Sequence, residues 1–191
     1  LYKTAAWSMP VTSSPLATSI QANGLLQLGD FSVAEILGKS QWTGDAMTSD
    51  WFTPKNWLGL IPSTSYPTYI NNDLGAGRVF PVLTAGAGIV NDLFVENGAS
   101  LTVSSGTLKI AGALMSISNV TAADGTIEFN GSSAQTIAPG SFVNNIIKNL
   151  VVSNDLSMPD VNIITGTLSV STGKTLTTND NLVLRSDANG T

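Results

Sequence analysis

Three tryptophans and a set of hard oxygen donors crowd one short stretch of this chain. Trp42, Trp51 and Trp57 lie within sixteen positions, interleaved with Asp45, Asp50 and Asn56. Two kinds of chemistry suit those residue types. Flat aromatic rings beside Asp and Asn are what a carbohydrate site uses. Carboxylate and amide oxygens in one loop are what Ca²⁺ takes as ligands. The spacing of Asp45, Asp50 and Asn56 fits neither the EF-hand loop nor the Gly-Gly-x-Gly-x-Asp nonapeptide repeat, so calcium is a candidate on residue type alone. Thermal unfolding that EDTA leaves unchanged would argue against a stabilising site. The third use of such rings is structural. Each buries about 150–250 Å², enough for Trp42, Trp51 and Trp57 to cover the open end of a repetitive β-fold, with Asp50 and Asn56 holding the loop backbone as Asx turns. Gly44, Pro54, Gly59 and Pro62 punctuate the stretch, so it reads as a folded loop. The structural reading is the expected one.

Other chemistry is bounded by composition. The chain of 191 residues has no His and no Cys. That removes Ser-His-Asp and Cys-His nucleophiles, disulfides and the usual zinc ligands. A two-carboxylate glycosidase is the remaining hydrolase idea. Glu occurs at 35, 96 and 128 only; Glu96 and Glu128 alternate with apolar neighbours, as on the outward face of a strand. No enzyme is expected and no cofactor. Net charge is −5 from 13 acidic and 8 basic residues, and the cations are scattered, so no basic stripe exists for nucleic acid. No apolar run reaches the length of a membrane-spanning helix, and membrane insertion is not expected. Asn119-Val120-Thr121, Asn130-Gly131-Ser132 and Asn189-Gly190-Thr191 match the N-glycosylation pattern, but Asn-Gly turn chemistry accounts for the last two equally well. Thr175 and Thr177 alternate without a regular threonine ladder, which ranks ice binding low.

The elements that would position these residues are strands. Hydrophobic residues make up 42% of the chain and charged residues 11%, so its polar surface must come from Ser, Thr, Asn and Gly, a composition suited to short strands and tight turns. From Arg78 onward β-prone runs alternate with turn signals. They are Arg78–Thr84, Ile89–Glu96, Ser100–Val103, Thr107–Ile110, Gly125–Asn130, Ala134–Ile137, Ile147–Ser153, Val161–Ile164, Thr167–Val170 and Asn181–Arg185. Asn97-Gly98, Asp124-Gly125 and Asn130-Gly131 supply the positive φ of tight turns. No amphipathic helix stands out.

A repeat runs through this region. Leu93-Phe94-Val95-Glu96-Asn97-Gly98-Ala99-Ser100-Leu101 and Leu168-Ser169-Val170-Ser171-Thr172-Gly173-Lys174-Thr175-Leu176 share the pattern Leu-x-Val-x-x-Gly-x-x-Leu. One such unit cannot bury its apolar face; stacked units can. The expected fold is therefore all-β, a right-handed parallel β-helix or β-solenoid with irregular rungs, with a β-sandwich as the alternative. Residues 1–40 read as the end of an upstream module or as strands that exchange with a neighbour, 41–77 as a Trp-rich cap loop, and 78–191 as the β-repeat region. With no initiator Met or leader, the whole reads as a piece of something longer.

Gln41-Trp42-Thr43-Gly44, then Ser49-Asp50-Trp51-Phe52-Thr53-Pro54-Lys55-Asn56-Trp57, then Ile61-Pro62 resembles the W-x-G … D-W … N-W … P motif of large secreted or surface adhesin-like proteins of the Bacteroidota. A related signature opens the β-helical passengers of some autotransporters. Gly125-Thr126-Ile127-Glu128-Phe129-Asn130-Gly131, Gln135-Thr136-Ile137 and Asn149-Leu150-Val151-Val152 resemble the repeats that follow it. So do Gly166-Thr167-Leu168 and Asn181-Leu182-Val183-Leu184. The resemblance implies export, by type IX secretion, to the cell surface or the medium. It also implies a structural or adhesive repeat role, with self-assembly into a fibre or stalk as a variant. Partners would be neighbouring modules, identical subunits, glycans or host surfaces. A carbohydrate-binding module of a secreted enzyme is the alternative function. The resemblance carries over no catalytic residue.

Overall fold

The computed structural model describes residues 38–185; Glu35 and the segment expected to exchange strands lie outside them, apart from Gly38, Lys39 and Ser40. The described chain is a parallel β-solenoid of about five turns, as expected from the stacked-unit argument. Each turn lays one strand on each of three faces. β1 (Ser40–Trp42) starts the first face, and β2 (Trp57–Leu58) lies antiparallel along its outer edge. The first full turn is β3 (Thr68–Ile70), β4 (Val82–Leu83) and β5 (Ala87–Val90); the second is β6 (Leu93–Val95), β7 (Leu101–Val103) and β8 (Thr107–Ile110). In the third, β9 (Leu114–Met115) precedes β10 (Val120–Phe129), one ten-residue strand that bends across two faces. The fourth repeats this with β11 (Gln135–Thr136) and β12 (Phe142–Val152). The fifth is β13 (Leu156–Ser157), β14 (Asn162–Ile164) and β15 (Leu168–Val170), and β16 (Leu176–Thr177) and β17 (Leu182–Leu184) begin a sixth. The solenoid thus starts at Thr68, earlier than Arg78.

Period-2 alternation fills the interior. Inward residues stack in register along the axis: Val90, Ile110, Phe129 and Val152 form one column on the third face, and Gly88, Leu108, Ile127 and Leu150 the next. Apart from partly uncovered positions at the last turn, these side chains are buried. Both neighbours of an internal strand are other turns of the same chain, so the parallel ladders need no helical crossover.

The repeat between Leu93 and Leu168 has a different meaning from the one expected. Leu93 lies on the first face and Leu168 on the third. What the two segments share is a corner. Gly98 and Gly173 both take positive φ, 87° and 75°. Ala99 N donates to Glu96 O, and Lys174 N to Ser171 O, closing the same tight turn. The true repeat is the rung, and its length varies: Ile146 stands opposite Ile163 seventeen residues on, and Thr68 opposite Leu93 twenty-five residues on. Corner loops absorb the difference.

Two of the three Gly dipeptides expected as positive-φ turns are not. Gly98 has that conformation, whereas Gly125 and Gly131 have ordinary φ. Gly125 sits inside β10 at the bend between faces, where an added Cβ would lie 2.8 Å from Val103 O and 3.0 Å from Gly106 O. Gly131 similarly lies against Ala111 O and the Gln135 side chain. Glycine is required here for space.

Corners are closed by buried amides. Gln135 points inward and donates from Nε2 to Ile110 O (2.9 Å) and Gly112 O (2.7 Å), while its Oε1 accepts from Gly131 N. One turn on, Asn154 donates to Gly131 O and Ser133 O, and Lys174 Nζ donates to Asn154 Oδ1. Asn149 bridges three turns, donating to Gly125 O and accepting from Thr167 N. These contacts supply donors to corner carbonyls such as Gly112 O and Gly131 O, and give Ile110 O a second donor beside Asn130 N.

The candidate functional site, a tryptophan cluster at one end

The Trp-rich stretch sits on the first turn. Pro54 opens a single 3-10 turn, Pro54–Asn56, where its missing N–H costs nothing. That turn delivers Asn56 into the interior of the loop. Asn56 Oδ1 accepts from Ala46 N (2.9 Å), and Nδ2 donates to Thr48 O (3.0 Å), Thr48 Oγ1 (3.1 Å) and Asp50 O (3.0 Å). Its backbone carbonyl accepts from both Thr43 N and Gly44 N. One buried amide thereby fixes residues 43 to 50. Asn56→Ala is expected to cost about 2–3 kcal/mol, since it leaves several buried backbone groups without partners; a denaturant titration measures it, and a loss below about 0.5 kcal/mol would remove Asn56 from this role.

The rings follow from that scaffold. Trp42 projects from β1 and donates from Nε1 to Val79 O (2.9 Å). Trp57, at the start of β2, donates from Nε1 to Trp51 O (2.7 Å). Trp57 meets Trp42 and Trp51 edge-to-face, with centroids 4.9 Å apart in both pairs, the geometry that aromatic quadrupoles favour. Trp51 occupies the space above Gly88: a Cβ there would lie 3.1 Å from the indole Nε1. Gly88 heads the column of Leu108, Ile127 and Leu150, so the Trp51 ring completes that column with a side chain from another segment. Exposures are 1% for Trp42, 0% for Trp51 and 5% for Trp57, so none of the three has a ring face on solvent for a sugar to stack against.

The other predicted residues are engaged in the same fabric. Gly44 takes φ 67°, and a Cβ there would lie 3.1 Å from Arg78 Cβ and 3.2 Å from Val79 O; that close approach seats the loop on the first turn. Asp50 caps its own turn, its Oδ1 accepting from Phe52 N (3.2 Å) and its Oδ2 from Thr53 Oγ1 (2.6 Å), and it bridges Val82 in parallel. Pro62 is buried in the link from β2 to β3. Asp45 pairs with Arg78 at 2.5 Å, but both side chains are over a third exposed and the pair adds little. The three calcium candidates therefore point their oxygens at different protein partners. Among the described residues no three His, Cys, Asp or Glu side chains gather as a metal site would require.

The two described glutamates lie apart. Glu96 Oε2 accepts from Asn72 N at the corner after β6. Glu128 points outward from β10, paired with Lys109 at 2.8 Å and accepting from Ser153 Oγ at 3.0 Å. Of the sequon asparagines, Asn119 donates its Nδ2 to Glu96 O, Asn130 Oδ1 is buried without a partner, and Asn189 lies outside the described residues.

Sequence reading missed two outward ladders. Tyr69 and Phe94 stack at 4.7 Å, nearly parallel, with Lys39 Nζ 5.8 Å from the Tyr69 centroid. Met115 stands next in register to Phe94. Thr136, Ser157 and Thr177 form a column of hydroxyls on the same side of later turns. The members of each are about twenty residues or more apart, and only rung register brings them together.

Fold and cluster together define a parallel β-solenoid with an aromatic cluster buried on its first described turn. Comparisons with protein-family models, with curated proteins and with solved structures found no match.

Proposed function

We propose that the chain is a non-catalytic structural or adhesive module of a large bacterial cell-surface or secreted protein, acting as a stiff, end-covered β-rod that holds or spaces its neighbours. The observation that carries this reading is the burial of Trp42, Trp51 and Trp57 over the first turn. Repeat solenoids need a terminal unit that shields the apolar core and the strand edge, and β2 covers that edge along β1. The use of Asn56, Gln135 and Asn154 as buried staples, and of Asp50 as an exposed turn cap, supports the same reading. Export rests on the resemblance of the Trp motif to surface proteins of the Bacteroidota. Antibodies raised against the module should label intact cells of the producing bacterium, or its culture medium. Labelling confined to permeabilised cells would contradict the proposal.

A further inference from the structure

The pair Asn-Gly occurs twice among the described residues, at Asn97-Gly98 and Asn130-Gly131. Asparagine is chemically labile, most of all before glycine, where no Cβ stands in the way of attack by the next backbone nitrogen. The fold gives the two pairs opposite surroundings. Asn130-Gly131 is locked. Asn130 N donates to Ile110 O at 3.1 Å, and Asn130 Oδ1 is buried. Gly131 is buried, its N–H donating to Gln135 Oε1 at 2.7 Å and its carbonyl accepting from Asn154 Nδ2 at 2.8 Å. Asn97-Gly98 is open. Both residues are exposed at the corner after β6. Among the described residues neither the Asn97 side chain nor Gly98 N–H has a hydrogen-bond partner, and the pair is held through the Asn97 carbonyl, which accepts from Asn72 Nδ2 at 2.8 Å.

We propose that Asn97 is a site of spontaneous self-modification, converting through a cyclic imide to aspartate and isoaspartate while Asn130 stays intact. Gly98 N gives its proton to solvent base and attacks Asn97 Cγ. The N–Cγ bond forms, the Cγ–Nδ2 bond breaks, and Nδ2 takes up a proton and leaves as ammonia. Water then opens the imide at either carbonyl. Opening at Cγ leaves aspartate in the original backbone. Opening at the other carbonyl leaves isoaspartate, whose chain runs through Cγ. Water is the only co-reactant, and nothing is oxidised or reduced. The second product puts an extra methylene inside the turn that Ala99 N closes on Glu96 O at 2.9 Å, and turns the carbonyl that Asn72 Nδ2 binds into a carboxylate next to Glu96. The corner is loosened and gains negative charge. At Asn130 the same attack would first have to break the Gly131 N–H bond to Gln135. The inference is independent of the surface role proposed above.

Ageing the intact chain in warm, mildly alkaline buffer tests it. Trypsin cuts at Arg78, Lys109 and Lys148 place the two asparagines in separate peptides, and mass spectrometry follows each. In the folded chain Asn97 should convert, with Asn130 at least about tenfold slower, the factor that one hydrogen bond of ordinary strength accounts for. In urea the two should convert at similar rates, because the dipeptide is the same. Asn97→Gln, which would have to close a larger ring, should abolish conversion at this corner. Aged protein rich in isoaspartate should melt below Asn97→Asp, which carries the new charge on an unaltered backbone. Equal rates at the two sites in the folded chain, or conversion of Asn97 in urea alone, would overturn the proposal; equal melting of aged protein and Asn97→Asp would overturn the loosening of the corner.

Discussion

Trp51→Ala lowers stability by about 3–5 kcal/mol, the range for deleting a fully buried large aromatic side chain, and shifts the denaturation midpoint accordingly. The ring is 0% exposed, packs against Trp57 and completes the column that Gly88 leaves short. Gly88 has no side chain to refill the space, Trp57 is held by its hydrogen bond to Trp51 O, and Leu83, the other side chain against Gly88, is far smaller than the indole it would have to replace. Trp51→Phe separates ring from indole N–H. Trp51 Nε1 is buried without a hydrogen-bond partner, so phenylalanine removes an unsatisfied donor while keeping much of the contact, and its cost should be well under half that of alanine. A Trp51→Ala protein that keeps its stability and loses binding to a glycan array would replace the structural account with a sugar site.

Gly125→Ala is the second large effect, about 3 kcal/mol, at the upper end of what overpacking costs. The new Cβ would meet Val103 Cγ1 at 2.5 Å, Val103 O at 2.8 Å and Gly106 O at 3.0 Å. Two of those atoms are backbone of the preceding turn, so relief requires the turns to separate locally and not merely a rotamer change. Gly98→Ala makes the contrast. Its demand is φ 87°, with Asn72 side-chain atoms no closer than 3.5 Å to the new Cβ, so its cost is set by backbone strain of about 1–2 kcal/mol. Thermal melts of the two variants rank them; a Gly98→Ala penalty larger than that of Gly125→Ala would contradict the close-approach explanation.

Strand positions were legible because alternation is a local signal. Thr107–Ile110 and Val161–Ile164 read as strands from residue types, and β8 and β14 cover them closely. β9, β13 and β16 were not read as strands: each has two residues, and none lies within a longer β-prone run such as those that contain the equally short β4 and β11. The first halves of β10 and β12 were hidden for another reason. Both long strands are irregular: β10 bends between faces at Gly125, and β12 carries a bulge on its second-face half at Asn144 and Asn145, where both asparagines take positive φ, before it changes face between Ile147 and Leu150, so alternation slips partway along. Rung length was hidden because no fixed period exists. A shared corner at Gly98 and Gly173 therefore stood out more strongly than the turns themselves.

At the site, Trp42, Trp51 and Trp57 were identifiable by clustering alone, and their burial over the first turn is what large rings beside a glycine-headed column favour. The partners they use were not. Val79 O, which receives the Trp42 indole N–H, and Gly88, which makes room for Trp51, lie more than thirty residues from the rings they serve. Gln135 and Asn154 look like ordinary surface polar residues in sequence. They are buried because carbonyls such as Gly112 O and Gly131 O lie where the chain turns at a corner, and an amide supplies them a donor.

Hydrogen exchange in Trp51→Ala tests most directly whether the cluster holds the end of the solenoid. Stacked repeats interact mainly with their neighbours, so loss at one end propagates with decreasing effect. Protection should fall most in β3, β4 and β5, less in β6 to β8, and least in β12 to β14. Protection lost evenly along the rod, or retained in β3 to β5, would contradict a structural end-cover role for the tryptophan cluster.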